Sequence, residues 1–175
     1  TKTAVGVVSS GGIVLAKETI PTPLGDPRTL IASIAVLAHG VIDRAGPVRA
    51  MGMALPGIVA RADGSLRASP SSGWTDVPFA RMAGEALRLP VMADNDVNAC
   101  AWAEACFGAG RGLDCFFWLK ISTGIGGAVV TGGRVLDGAH SMAGEIGHLI
   151  VNPGGAFCGC GHRGCLEAEA AGPAW

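Results

Sequence analysis

Two groups of residues in this sequence have types and spacing suited to chemistry. The first is Cys158, Cys160 and Cys165, with His148 ahead of them and His162 among them. Soft sulfurs and an imidazole fill a tetrahedral Zn²⁺ shell, and a shell made wholly of protein donors makes such a metal structural. His148 and His162 both qualify as the fourth donor: His162 is nearer in sequence, but within Cys158-Gly159-Cys160-Gly161-His162-Arg163-Gly164-Cys165 its ring can point outward. The plainer reading, three buried thiols in a glycine-rich loop, is the weaker one for so tight a cluster. Glu145 and Glu167 flank the ligands and would be carried in with the metal.

The second group is Asp94-Asn95-Asp96, directly after the short apolar run Val91-Met92-Ala93. Polar residues at the C-terminal end of a strand stand where α/β proteins bind their ligands. A carboxylate there can accept a hydroxyl proton while the adjacent amide orients the same substrate. The ordinary alternative is a helix N-cap, for which Asn and Asp are both suited. A third, weaker signal is Ser122-Thr123-Gly124-Ile125-Gly126-Gly127, whose backbone N–H groups could face phosphate oxygens. Glycine-rich hairpins are common without any ligand.

The elements that must hold these groups follow from periodicity. Residues 4–9 and 13–20 read as a hairpin closed by Ser10-Gly11-Gly12, with Pro21 and Pro23 stopping the second strand. Over residues 27–45, Leu30, Ile31, Ile34, Leu37, Ala38, Val41 and Ile42 recur at helical spacing, and Gly46-Pro47 closes the helix. Residues 48–55 form a buried strand, 58–66 a second hairpin turning at Asp63-Gly64, and 68–75 a loop. A helix is predicted over 78–89, ended by Pro90, and another over 97–107. Residues 108–112, Gly-Ala-Gly-Arg-Gly, read as a linker, which places a domain boundary near residue 113 (domains 1–113 and 114–175). Strands at 115–121 and 128–131, with turns at 122–127 and 132–133 and a short strand beyond, complete a meander.

Composition narrows the classes further. Over 175 residues, 49% hydrophobic and only 15% charged residues give a globular chain with a substantial core. A net charge of −1 supplies no overall field for nucleic acid or an acidic membrane, so neither is an expected partner. No apolar run has the roughly 18 residues of a membrane span, and the opening residues do not follow a signal-peptide plan. Together with cysteines that have metal spacing or lie scattered among apolar neighbours, this points to the cytoplasm.

Taken together, these motifs resemble the ROK family of repressors and sugar kinases. The resemblance runs through Leu55-Pro56-Gly57, Trp74, Leu89-Pro90-Val91, Asn95-Asp96-Val97-Asn98-Ala99, Glu104, residues 108–112, Ser122–Gly127, Gly144-Glu145-Ile146-Gly147-His148 and Cys158-x-Cys160-Gly161-x-x-Gly164-Cys165-x-Glu167. It implies an α/β, two-lobed, actin-like ATPase fold of the ribonuclease H-like hexokinase type, with sugar and ATP meeting in the cleft. It further implies Asp96 as general base and Asn95, Glu145, His148, Glu167 and Gly57 as sugar contacts. Thr123 and Gly124 correspond to the loop that meets the ATP phosphates, and His148, Cys158, Cys160 and Cys165 to the ligands of a structural zinc. The implied activity is phosphorylation of a hexose at its 6-hydroxyl with Mg-ATP, most nearly that of a glucokinase, by a homodimer. The alternatives are an N-acetylmannosamine or N-acetylglucosamine kinase and a sugar-responsive transcriptional repressor.

The chain departs from the family pattern in three places. Thr1-Lys2-Thr3 resembles the end of an Asp-x-Gly-Gly-Thr-Lys phosphate motif, and Trp175 falls short of the family's second glycine-rich nucleotide motif, so the fold is expected to be incomplete at both ends. Ser69-Pro70-Ser71-Ser72 stands where many members carry an Asn that meets the sugar.

Overall fold

The computed structural model describes residues 2–172; Thr1 of the Thr1-Lys2-Thr3 motif and Trp175 lie outside the described residues. Contacts divide the chain into a unit up to Asp94 and a unit from Asn95 onward.

In the first unit, β1 (Lys2–Val8) pairs antiparallel with β2 (Val14–Pro21), as the Ser-Gly-Gly turn predicts. Helix α1 spans Pro27–Ala45, and its bounds are those of the sequence pattern because both end signals operate. Asp26 caps it by accepting from the Arg28 N–H at 2.8 Å, Pro27 takes the first turn, and Gly46 leaves it at φ +96°. Leu30, Ile31, Ile34, Leu37, Ala38 and Val41 form its buried face. They join a core with Val5 and Val7 of β1, Met53 and Leu55 of β3 (Met51–Leu55), and Phe79, Ala80, Ala83 and Leu87 of α2 (Phe79–Leu87).

Three boundaries in this unit differ from the sequence expectation. Strand β3 begins at Met51, where the Met51 N–H bonds the Pro90 carbonyl, rather than at residue 48. Helix α2 ends at Leu87, with Arg88 in the left-handed region at φ 55° ahead of Leu89-Pro90, because a residue before proline is steered away from helix. The expected loop over 68–75 is largely sheet. After β4 (Ile58–Ala60), β5 (Ser65–Ser69) pairs with β6 (Trp74–Val77), leaving only residues 70–73 as a turn. Tertiary contacts of Trp74 support β6: its ring lies 5.4 Å from that of Phe79 and its indole N–H donates to the Gly25 carbonyl at 2.5 Å.

Strand β7 (Val91–Asn95) neighbours β3 and carries the Asp-Asn-Asp segment to the point where the chain turns into α3 (Asp96–Phe107). In the second unit, β8 (Cys115–Ile121), β9 (Ile125–Thr131) and β10 (Arg134–Val135) form the predicted meander in the order β10-β9-β8. Val97, Ala101 and Ala105 of α3 share a core with Phe116 and Trp118 of β8 and with Ala128 and Val130 of β9. That packing groups α3 with the meander, although the glycine-rich 108–112 segment lies between them in sequence. The expected 122–127 turn is tighter, since Ile121 pairs with Ile125 and Lys120 with Gly126, so that only residues 122–124 stand outside the ladder. Beyond β10, a 3₁₀ turn over Ile146–His148 and a short helix α4 (Leu166–Ala170) bracket the cysteine loop. Among the described residues no helix is long and apolar enough to cross a membrane.

Phe79 is fully buried and stacks obliquely on Trp74, so its removal leaves a cavity under both α1 and β6. Phe79→Ala is expected to cost about 3–5 kcal/mol, read from chemical denaturation; a loss below about 1 kcal/mol would show that this core is not what holds the first unit.

Candidate active site and metal centre

Asn95 and Asp96 do different work at the start of α3. Asn95 is the N-cap: its Oδ1 accepts from the Val97 N–H at 2.8 Å and the Asn98 N–H at 3.3 Å. With the carbonyl end committed to the helix, the side chain's remaining capacity is donation from Nδ2. The N-cap alternative raised by the sequence is therefore realised. Asp96 opens the helix, where its charge is favoured by the dipole. Its Oδ2 accepts from Lys120 Nζ at 2.6 Å, with the lysine and aspartate side chains about one-third exposed (35% and 33%).

Glu145, His148 and Glu167 are brought to the same region by backbone packing on β9. Gly144 sits at φ +90° with its backbone pressed against Gly127, whose N–H donates to the Gly144 carbonyl at 3.0 Å; a side chain there would collide with Gly127. This brings Glu145 and the 3₁₀ turn alongside β9. The Glu145 carboxyl is pushed above its ordinary range, first by burial, while nearby His148 opposes the shift and the charges of Glu167 and Asp96 add to it. These carboxylates therefore share one electrostatic neighbourhood. Glu145 Oε2 lies 3.9 Å from His148 Nε2, too far for a hydrogen bond.

Glu167, in the first turn of α4, accepts from the Ile125 N–H through Oε2 at 2.9 Å. The approach is so close that a Cβ on Gly124 would stand 2.5 Å from that oxygen. Behind it, the Gly172 N–H donates to the Ser122 carbonyl at 2.7 Å, so the α4 segment clasps the 122–125 turn from both ends. Thr123 is exposed on this turn. Gly57 lies in the first unit, between β3 and β4, at φ +114° and with its Cα against Ala68 and Ser69.

His148, Cys158, Cys160 and Cys165 place their donor atoms within 4.8 Å of one another. Cys158 Sγ is 3.7 Å from His148 Nδ1, and Cys160 Sγ is 3.6 Å from Cys165 Sγ. Zinc–sulfur bonds of about 2.3 Å in a tetrahedron put neighbouring donors roughly 3.7 Å apart, so the donor set fits that ion. The two histidines that the sequence leaves open differ in the structure. His148 joins the set through Nδ1, whereas His162 lies outside it, with Nδ1 3.6 Å from Cys160 Sγ. The Cys160 thiol is lowered to about 6, chiefly by hydrogen bonding from the His162 backbone and then its ring. Burial pushes the Cys165 thiol up to about 12, with contacts to the Cys160 and Cys158 sulfurs adding to it. Zinc binds the thiolate, so a cation bound here would displace the thiol protons.

The loop holding these sulfurs is braced by its own backbone. Cys158 N–H donates to the His162 carbonyl at 2.8 Å, Gly164 N–H to Ala156 at 2.8 Å, and Leu166 N–H to Leu149 at 2.8 Å. Glu169 adds a second brace, accepting from the Ala156 N–H at 2.7 Å and from Asn152 Nδ2 at 3.2 Å. Sequence reasoning misses both Lys120 and Glu169. Lys120 has a visible signal, as the one charged residue in the apolar run Cys115–Ile121, alternating with Phe116 and Trp118.

The chain is similar to known proteins along its whole length. The model of the ROK family matches residues 1–175. The glucokinase of Streptomyces coelicolor is 35% identical over 175 residues, covering 99% of this chain and 54% of that protein. The N-acetylmannosamine kinase of Escherichia coli O157:H7 is 37% identical over 176 residues, covering 98% and 58%. The crystal structure of a ROK family glucokinase from Streptomyces griseus with glucose and AMPPNP matches with a TM-score of 0.90 at 34% identity, covering 99% of this chain and 55% of that one. A ROK family transcriptional regulator matches with a TM-score of 0.88 at 29% identity, covering 99% and 45%. The chain thus spans about half the length of the curated relatives it matches. With the family's carboxylate, histidine and cysteine motifs gathered on an actin-like ATPase fold, and the match running from end to end, the chain belongs to the ROK family.

Proposed function

We propose that the protein containing this chain phosphorylates a hexose at its 6-hydroxyl with Mg-ATP, as a glucokinase does. The observation that carries this reading is Asp96: a carboxylate at a strand-to-helix junction, beside a capped amide and in the same field as Glu145 and Glu167. Support comes from the glucokinase similar to this chain and from the related structure solved with glucose and AMPPNP.

In this reading Asn95 Nδ2 donates to a sugar oxygen, Glu145 and Glu167 accept from sugar hydroxyls, and Gly57 gives close backbone approach. Asp96 takes the proton of the 6-hydroxyl as that oxygen attacks the γ-phosphorus in line. A sugar hydroxyl is far less acidic than a carboxylic acid, so the proton moves as the new P–O bond forms and not before. Backbone amides of the turn at Thr123 and Gly124 face the phosphate oxygens, where fixed dipoles offset developing charge. His148 Nδ1 and the sulfurs of Cys158, Cys160 and Cys165 would hold a Zn²⁺ ion, which would supply a structural cross-link and keep the imidazole proton on Nε2. His148 can then only donate through Nε2, to a sugar oxygen. This reading also has the protein act as a homodimer in the cytoplasm.

N-acetylmannosamine is the second substrate to consider, because a kinase for that sugar is 37% identical over almost the whole chain. A sugar-responsive transcriptional repressor is the third reading, because a ROK family transcriptional regulator has the same fold at 29% identity.

The deciding assay supplies Mg-ATP with glucose, N-acetylglucosamine or N-acetylmannosamine to the full-length protein and follows ADP release. Sugar-dependent release with glucose above the others is expected; none with any sugar would remove the kinase reading. Asp96→Asn should lower kcat by at least about 10³-fold while sugar affinity, measured calorimetrically, stays within a few fold. Loss of binding together with activity would give Asp96 a different role. Cys160→Ser should empty the metal site, lowering bound zinc from one ion per chain toward none and reducing sugar affinity and Tm together. Unchanged zinc would count against the ligand set. Gly124→Ala drives a methyl group into the Glu167 carboxylate, and about a tenfold loss in kcat/KM is expected; wild-type kinetics would mean that this contact does not shape the site.

A further inference from the structure

Lys120 is a costly residue where it stands. Its strand alternates, with Phe116 and Trp118 packed toward α3 and Phe117, Leu119 and Ile121 exposed on the other face. Lys120 continues the α3-facing row, opposite Gly126 in the ladder, and reaches the first residue of α3. A cation at a helix N-terminus opposes the dipole by about 0.3–1 kcal/mol, and fixing a lysine costs up to roughly 2 kcal/mol of side-chain entropy. A half-buried lysine there is held in place only by a partner, and the 2.6 Å bond to Asp96 Oδ2 is that partner. Among the described residues it is the one hydrogen bond that the Asp96 carboxylate makes.

We propose that Lys120 is a positioning residue for the base: its ammonium holds Asp96 Oδ2 and thereby turns Oδ1 toward the sugar hydroxyl. The inference rests on the kinase reading above. As the reaction runs, the sugar O–H bond breaks and an Oδ1–H bond forms, while the sugar oxygen bonds phosphorus and the leaving electron pair departs on ADP. Lys120 keeps its proton throughout and stays hydrogen-bonded to Oδ2 of the neutral acid. Along the chain, Lys120 precedes the Ser122-Thr123-Gly124 turn by two residues, roughly 7 Å at the usual strand rise. One strand therefore sets the orientation of the base and the start of the phosphate-facing turn together. The competing explanation is that the lysine stem only covers apolar surface and its head takes the nearest acid.

The test compares wild type, K120M and K120R of the full-length protein with Mg-ATP and glucose. K120M preserves length and stem packing but removes the donor. Its kcat should fall about 10²-fold, the scale of a misplaced reacting group, with the KM for sugar within about threefold and the melting temperature unchanged. K120R, which still donates to a carboxylate, should recover kcat to within about tenfold of wild type. K120L, which also lacks a donor and is judged by the same criteria, covers a K120M protein that does not fold. A K120M kcat within about threefold of wild type or above it, or kcat, KM and Tm falling together without rescue by arginine, overturns the proposal. If wild type turns over and K120M is equally fast, only the positioning role is lost. Without sugar-dependent ADP release in wild type, the kinase reading falls and this role with it.

Discussion

The carboxylate of Glu167, seated on the Ile125 amide, is the contact on which the second unit's site depends. It joins two segments far apart in sequence: the turn at the head of the meander, and the short helix that follows Cys165. A backbone amide bonded by a carboxylate is a strong, directional hydrogen bond. With Gly172 bonded to Ser122 on the other side, the turn is gripped at both ends. Gly124 has no side chain for the same reason, since the carboxylate takes the space a Cβ would need. The donor cluster of His148, Cys158, Cys160 and Cys165 and the 122–125 turn therefore form one mechanical piece.

A second constraint is charge. Burial raises the Glu145 carboxyl, and the charges of Glu167 and Asp96 add to that rise. Opposing charge stands at Asp96, where Lys120 pairs with the carboxylate and the N-terminus of α3 lies beneath it. The arrangement suits a ligand rich in hydroxyl donors, because each hydroxyl brings a proton toward a carboxylate oxygen. Acceptors gather at Asp96, Glu145 and Glu167, while the backbone of the 122–124 turn lies outside the strand ladder.

Much of the fold was legible because its signals are local. Helix α1 has its bounds written in Asp26, Pro27 and Gly46, and the β1–β2 hairpin in Ser10-Gly11-Gly12. The errors fall where distant contacts override local preference. Pro70-Ser71-Ser72-Gly73 reads as loop and is one, but the residues flanking it join β5 and β6 because Trp74 finds Phe79 and Gly25. Gly126 and Gly127 look like turn residues, yet they lie in β9, where their bareness admits Val97 and Phe117.

The sequence alone determined which atoms were available: three sulfurs with metal spacing, two histidines, the Asn95-Asp96 pair and the flanking glutamates. Donor chemistry and short spacing are properties of the chain itself, so they could be read without coordinates. Tertiary structure decided which of these atoms meet. It chose His148 over the nearer His162, because packing of the 144–148 segment on β9 delivers Nδ1 to Cys158. It also brought Lys120 to Asp96 across 24 positions of sequence, a distance over which only the packing of α3 on the meander fixes the approach.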